Sequence, residues 1–135
     1  MDDQDKAKAA FKLVAENTKI EFGLINYETP TGESKSALVT AGDPSTVPAS
    51  DAAKALFDTN GNAVKEINHN HPGDQPPSGY DAWGDLLTPI TGDAKNAVGY
   101  PNNSKGESIK RGVYRPGFNK ITQYDNQGAK KSSPY

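Results

Sequence analysis

Ala63-Val64-Lys65-Glu66-Ile67-Asn68-His69-Asn70-His71-Pro72 is the stretch on which the reading of this chain turns. Read as a strand, Ala63 to His71 sends His69 and His71, two residues apart, to one face, where a single metal ion reaches both; Asn70 points the other way. These are the only two histidines of the protein. Pro72 cannot continue a sheet ladder, and Gly73-Asp74-Gln75-Pro76-Pro77 has to turn. The chain then folds back through Ser78-Gly79-Tyr80-Asp81 and delivers Asp81 as a third ligand. Two neutral imidazoles, one carboxylate and an open fourth position make a catalytic rather than a structural zinc site.

Working outward, the segments on either side predict a mixed sheet. An apolar stripe of Ala7, Ala10, Phe11, Val14 and Ala15 predicts an N-terminal helix ending at Asn17. Ile20 to Tyr27 reads as a strand rich in β-branched and aromatic residues, and Pro30-Thr31-Gly32 turns it back into Ser36–Val39. Gly42 to Ala49 reads as a loop. Ser50 is the expected N-cap of a short helix that buries Ala52, Ala53, Leu56 and Phe57 and stops at Asn60-Gly61. Beyond Asp81, Trp83, Leu86, Leu87 and Ile90 are apolar enough to pack over the site, while Gly84, Pro89 and Gly92 prevent a long helix. Asp93 to Val98 predicts a helical turn or two, and Ile109–Tyr114 and Lys120–Tyr124 predict two closing strands. The fold class is therefore α/β, a mixed β-sheet flanked by helices.

The 135 residues fit a single domain, 1–135, with the helix over 1–17 and a basic tail over 129–135. Absence of cysteine excludes a disulfide framework, thiol catalysis and cysteine-ligated zinc. No apolar run is long enough to span a membrane, and the acidic start Met1-Asp2-Asp3 is unlike a signal peptide. Charge is uneven: residues 105–135 hold 7 Lys/Arg against 2 Asp/Glu, where the formal net charge of the whole chain is -2. Such a basic end is suited to an acidic partner, but the expectation is a solvated, partly frayed tail.

The pattern His-x-His-Pro, a Pro/Gly linker and Ser-x-x-Asp resembles the signature of the JAMM (JAB/MPN-type) zinc metalloproteases. Within that superfamily it is most similar to JAB-like toxin domains of bacterial polymorphic toxins, through Lys19-Ile20-Glu21-Phe22-Gly23-Leu24, His69-Asn70-His71-Pro72, Pro77-Ser78-Gly79 and Val113-Tyr114-Arg115-Pro116. The resemblance implies a fold similar to that of cytidine deaminases, zinc on His69, His71 and Asp81, Ser78 beside the oxyanion, and Glu21 as the general base. It also implies a peptidase or isopeptidase toxin that acts on a protein or peptide substrate. Such a toxin is delivered into a competing cell without a signal peptide and neutralised in the producer by a cognate immunity protein. One departure is visible: six residues separate His71 from Ser78, one fewer than the family's usual spacing.

Independently of the resemblance, Glu21 is a carboxylate inside an apolar strand, an arrangement suited to a base; Glu16, Glu28 and Glu66 compete for that role. Asp85 competes for the third ligand position, and Asp74 reads as a turn former. Two other functions stand beside the toxin: a housekeeping JAMM-type peptidase of the cytoplasm, and a catalytically silent binding module of the same fold. The letters His-Asn-His also suggest a nuclease, but the net charge and the lack of a basic ββα context argue against nucleic acid.

Overall fold

The computed structural model describes residues 3–40 and 49–135. Helix α1 (Asp3–Asn17) precedes strands β1 (Phe22–Glu28) and β2 (Ser34–Thr40), a hairpin closed at Thr29–Glu33. Short helix α2 (Ala49–Ala52) runs on through a wider turn, Ala53–Phe57, and a tighter one, Asp58–Asn60. Gly61, in the left-handed region at φ 88°, ends the helical run and turns the chain into β3 (Ala63–Asn70). After a long crossover that contains α3 (Gly92–Gly99) come β4 (Lys110–Arg115), β5 (Lys120–Tyr124) and β6 (Ala129–Pro134).

The six strands form one sheet in the order β2-β1-β3-β4-β5-β6. Every neighbouring pair is antiparallel except β3 and β4, which run parallel. A parallel pair needs a crossover, and residues 71–109 supply it. The sheet is thus mixed, with helices on both faces, and the α/β expectation holds. Among the described residues no helix is long and apolar enough to cross a membrane.

Register decides which side chain meets which layer. Ile25 opposes Ile67, Ile67 lies beside Arg111, and Arg111 opposes Tyr124, so these four share a face with His69 and Val113. On that face Ile25, Ile67, Val64 and Ile109 pack with Ala49, Ala53 and Tyr100, while Val113 and Tyr124 pack under Ala97 of α3. The opposite face carries Leu24 and Tyr114, covered by Phe11 and Ala15 of α1. Phe11 has no exposed surface; burying a side chain of that size contributes roughly 1.5–3 kcal/mol.

Three sequence expectations change. Residues 129–134 are a paired strand: Thr122 and Ser132 share a hydroxyl hydrogen bond of 2.6 Å, and Tyr135 packs on Phe11 and Tyr114 while its hydroxyl accepts from Asn68. These anchors, absent from a composition-based reading, outweigh the lysine content of the tail. Ser50 is inside α2 rather than its N-cap, and its hydroxyl accepts from Arg111. Trp83, Leu87 and Ile90 are exposed and do not roof the site. The loop expected over residues 42–48 lies outside the described residues.

Candidate metal centre

His69 is the penultimate residue of β3 and His71 follows its end, so the strand alternation brings both imidazoles to the face shared with Ile67. Their Nε2 atoms are 3.1 Å apart. His71 Nδ1 lies 2.9 Å from the Gln75 carbonyl. A carbonyl only accepts, so Nδ1 carries the proton and the lone pair of a neutral His71 is on Nε2, facing His69.

The carboxylate that completes the group is Asp93. Its Oδ1 is 3.1 Å from His69 Nε2 and its Oδ2 is 3.4 Å from His71 Nε2. Asp93 is the second residue of α3, and it is locked to Ser78 by a reciprocal pair: Ser78 N–H donates to Asp93 Oδ2 (2.8 Å), and Asp93 N–H donates to Ser78 Oγ (2.9 Å). Ser78 thereby satisfies one of the open amides at the start of α3 although it lies far from that helix in sequence. The approach is so close that Gly79, at φ +87°, has no room for a Cβ, which would sit 2.2 Å from the Thr91 carbonyl.

Asp81, the expected third ligand, is not in this group. Its Oδ1 accepts from the backbone N–H of Trp83 and of Asp85, both at 2.9 Å, and its own N–H donates to the Asp85 carbonyl. Residues 79–87 close on themselves through these bonds, the Tyr80–Leu86 bridge and the Leu87 N–H to Gly79 carbonyl bond. This small closed turn holds both Asp81 and Asp85 away from the histidines, and the chain returns with Asp93 instead. The Ser-x-x-Asp spacing had pointed to Asp81. The available sign of Asp93 was its place as an acidic residue at the start of a short helix, a feature that by itself reads as helix stabilisation.

Glu21 immediately precedes β1 and is buried, with Oε1 3.9 Å from His71 Nε2. The other glutamates are engaged elsewhere: Glu16 accepts from the Tyr114 hydroxyl, Glu28 pairs with Lys105, and Glu66 accepts from Asn26. Glu21, His69, His71, Ser78 and Asp93 all line one cavity of about 240 Å³, with Tyr124 and Asn96 in its wall. Asp74 forms the turn expected of it, accepting from Gly117 N–H through Oδ1 and from Arg115 Nε through its carbonyl.

Electrostatics bind the group together. Burial alone would raise the Asp93 carboxyl, but the His69 charge, the hydrogen bonds from His69 and the Ser78 amide, and His71 hold it at about 2. Burial pulls His69 down, and the Asp93 carboxylate outweighs it, leaving His69 raised. Burial lowers His71, and the neighbouring His69 lowers it further.

The donor set fits a metal ion. His69, His71 and Asp93 each present one ligand atom, all within 4.8 Å of one another. A tetrahedral ion with bonds of about 2.0–2.1 Å has ligand atoms roughly 3.3 Å apart, close to the observed 3.1, 3.1 and 3.4 Å. The His71 Nδ1 contact to Gln75 is the kind of outer bond that fixes a ligating imidazole. The Asp93 carboxylate gives this donor set a negative charge to set against a cation.

A family model described as JAB-like toxin 1 matches residues 1–98, the span that holds Glu21, both histidines, Ser78 and Asp93. No curated protein and no solved structure matches the chain. The match takes in 98 of 135 residues and every member of the buried His-His-Asp group, and on it the chain belongs to the JAB-like toxin family.

Proposed function

We propose that this chain is a zinc-dependent peptidase or isopeptidase, the effector domain of a bacterial toxin delivered into a competing cell and neutralised in its producer by a cognate immunity protein. The observation that carries the proposal is the meeting of His69, His71 and Asp93 with Glu21 and Ser78 around one cavity. When bound, zinc would polarise the scissile carbonyl and bring the pKa of a water toward about 7. His69, His71 and Asp93 would hold it, with Asp93 in the place first expected of Asp81.

Glu21 is the proton carrier. Its carboxyl group lines the same cavity as His71 Nε2, 3.9 Å away, where it would take the proton of the attacking water and pass it to the leaving amine. Ser78 Oγ already accepts from Asp93 N–H, and its own hydroxyl proton has no acceptor among the described residues. That proton is available to the oxyanion as charge develops on the attacked carbonyl. With one residue fewer between His71 and Ser78 than the family's usual spacing, Ser78 still meets Asp93; this supports a working site over a silent binding module. Membership of a toxin family supports an effector over a housekeeping peptidase.

The test is expression inside a bacterial host with Glu21→Gln as the comparison. Growth arrest by the wild type, with arrest lost in Glu21→Gln while about one zinc per chain is kept, is the expected result. Equal toxicity of the two proteins overturns the catalytic reading.

A further inference from the structure

Arg111 is the buried charge that the site described above does not use. It sits on the site face of β4, beside Ile67 and opposite Tyr124, and is only 2% exposed. Among the described residues its guanidinium donates to one acceptor, Ser50 Oγ at 3.2 Å, and its Nε has no partner; it lies 5.5 Å from the centre of the Tyr100 ring. Among the described residues no carboxylate pairs with it. A buried cation without a counter-charge costs several kcal/mol of desolvation, and a guanidinium offers five N–H groups in a fork shaped for two oxygens.

Arg111 also lines a cavity of about 400 Å³ whose wall includes Lys65, Lys130, Asn126 and the acidic Asp125. Lys65 is paired with Glu107 and Lys130 with Asp125, while Lys110, next to Arg111 on β4, is directed to the opposite face of the sheet with Glu66 and Tyr114. Tyr124 forms part of this wall and of the metal cavity's wall, and Asn96 and Ala97, consecutive in α3, belong one to each. One cation without a counter-charge among the described residues, Arg111, therefore lines a hollow beside the His-His-Asp group.

We propose that Arg111 anchors an oxyanion subsite that holds a carboxylate or phosphate group of the substrate beside the bond to be cleaved. The assignment to substrate rests on the hydrolytic reading given above. The binding itself does not, because the anion needs only the guanidinium fork.

The test uses the metal-free full-length chain and the ¹H–¹⁵N signals of the arginine Nε–H groups. The chain has two arginines, and Arg115 is an internal control because its Nε already donates to the Asp74 carbonyl at 2.7 Å. Inorganic phosphate and, separately, acetate are titrated at constant ionic strength. The expected result is a saturable shift of the Arg111 signal with Arg115 unmoved, retained in His69→Ala, and phosphate affinity reduced about tenfold or more in Arg111→Lys, which keeps the charge and loses the fork. Response to both anions identifies a carboxylate-bearing substrate, and response to phosphate alone a phosphorylated one. An unmoved Arg111 signal overturns the proposal, as does unchanged phosphate affinity in Arg111→Lys; should that variant not fold, the wild-type spectrum decides. Because binding is read without turnover, its failure leaves the Glu21→Gln comparison standing, and failure there leaves this readout intact.

Discussion

Replacing Asp93 by Asn separates the two candidate third ligands sharply. The amide keeps the side chain's shape and still accepts from the Ser78 N–H, so the loop and the start of α3 stay in place. What it removes is the one negative charge that faces both Nε2 atoms, at 3.1 and 3.4 Å. Four-ligand structural zinc sites bind with about 10–16 kcal/mol, or roughly 2.5–4 kcal/mol for each ligand, so Asp93→Asn should weaken zinc binding by about 10²- to 10³-fold. Asp81→Asn retains an oxygen for the Trp83 and Asp85 amides and should change zinc affinity by less than about threefold, with stability within about 1 kcal/mol of wild type. The assay is competition between metal-free protein and a chromogenic zinc chelator at neutral pH, with circular dichroism to confirm folding. Wild-type affinity in Asp93→Asn, or an equal loss in Asp81→Asn, would refute the assignment.

Two more outcomes follow from the same geometry. In the metal-free protein the Asp93 carboxyl lies at about 2, below its ordinary value of 3.8. A lowered folded-state pKa contributes stability that is complete above about pH 4 and is lost as the pH falls toward 2. Denaturant unfolding should show about 2 kcal/mol of such loss in the wild type and little of it in Asp93→Asn; identical profiles would exclude Asp93 as the source. Gly79→Ala places a Cβ 2.2 Å from the Thr91 carbonyl in a backbone at φ +87°. It should cost at least about 1–3 kcal/mol in thermal or denaturant unfolding and loosen zinc binding with it, and an unchanged midpoint would contradict the packing described for this turn.

How far the sequence reached depended on whether a feature was local. The lead histidines were placed on one face by strand alternation alone, and β5 runs over the residues its pattern predicts, Lys120–Tyr124. The α1 stripe named Phe11 and Ala15, both buried. Asp93 was out of reach because its partnership with Ser78 is made across residues 79–92, a segment whose path is set by backbone bonds within the Asp81 turn and by contact with the start of α3. Strand β6 was missed for a related reason. Two lysines and two serines read as solvated chain, and only the Thr122–Ser132 pairing and the seat of Tyr135 against Phe11 and Tyr114 show why they are ordered.

The detour between Ser78 and Asp93 also bears on how such centres vary between chains. Its two ends are fastened to each other by the 2.8 and 2.9 Å bonds, while its middle is exposed at Trp83, Leu87 and Ile90. Residues can be gained or lost in that middle without moving either end, since a surface segment closed at its base changes the closure entropy only slowly with length. Insertion of a short Gly-Ser segment after Leu87 should therefore be tolerated by the metal group. By the same reasoning, a search for related centres that demands a fixed Ser-to-Asp interval passes over chains in which evolution has drawn this detour out or trimmed it back.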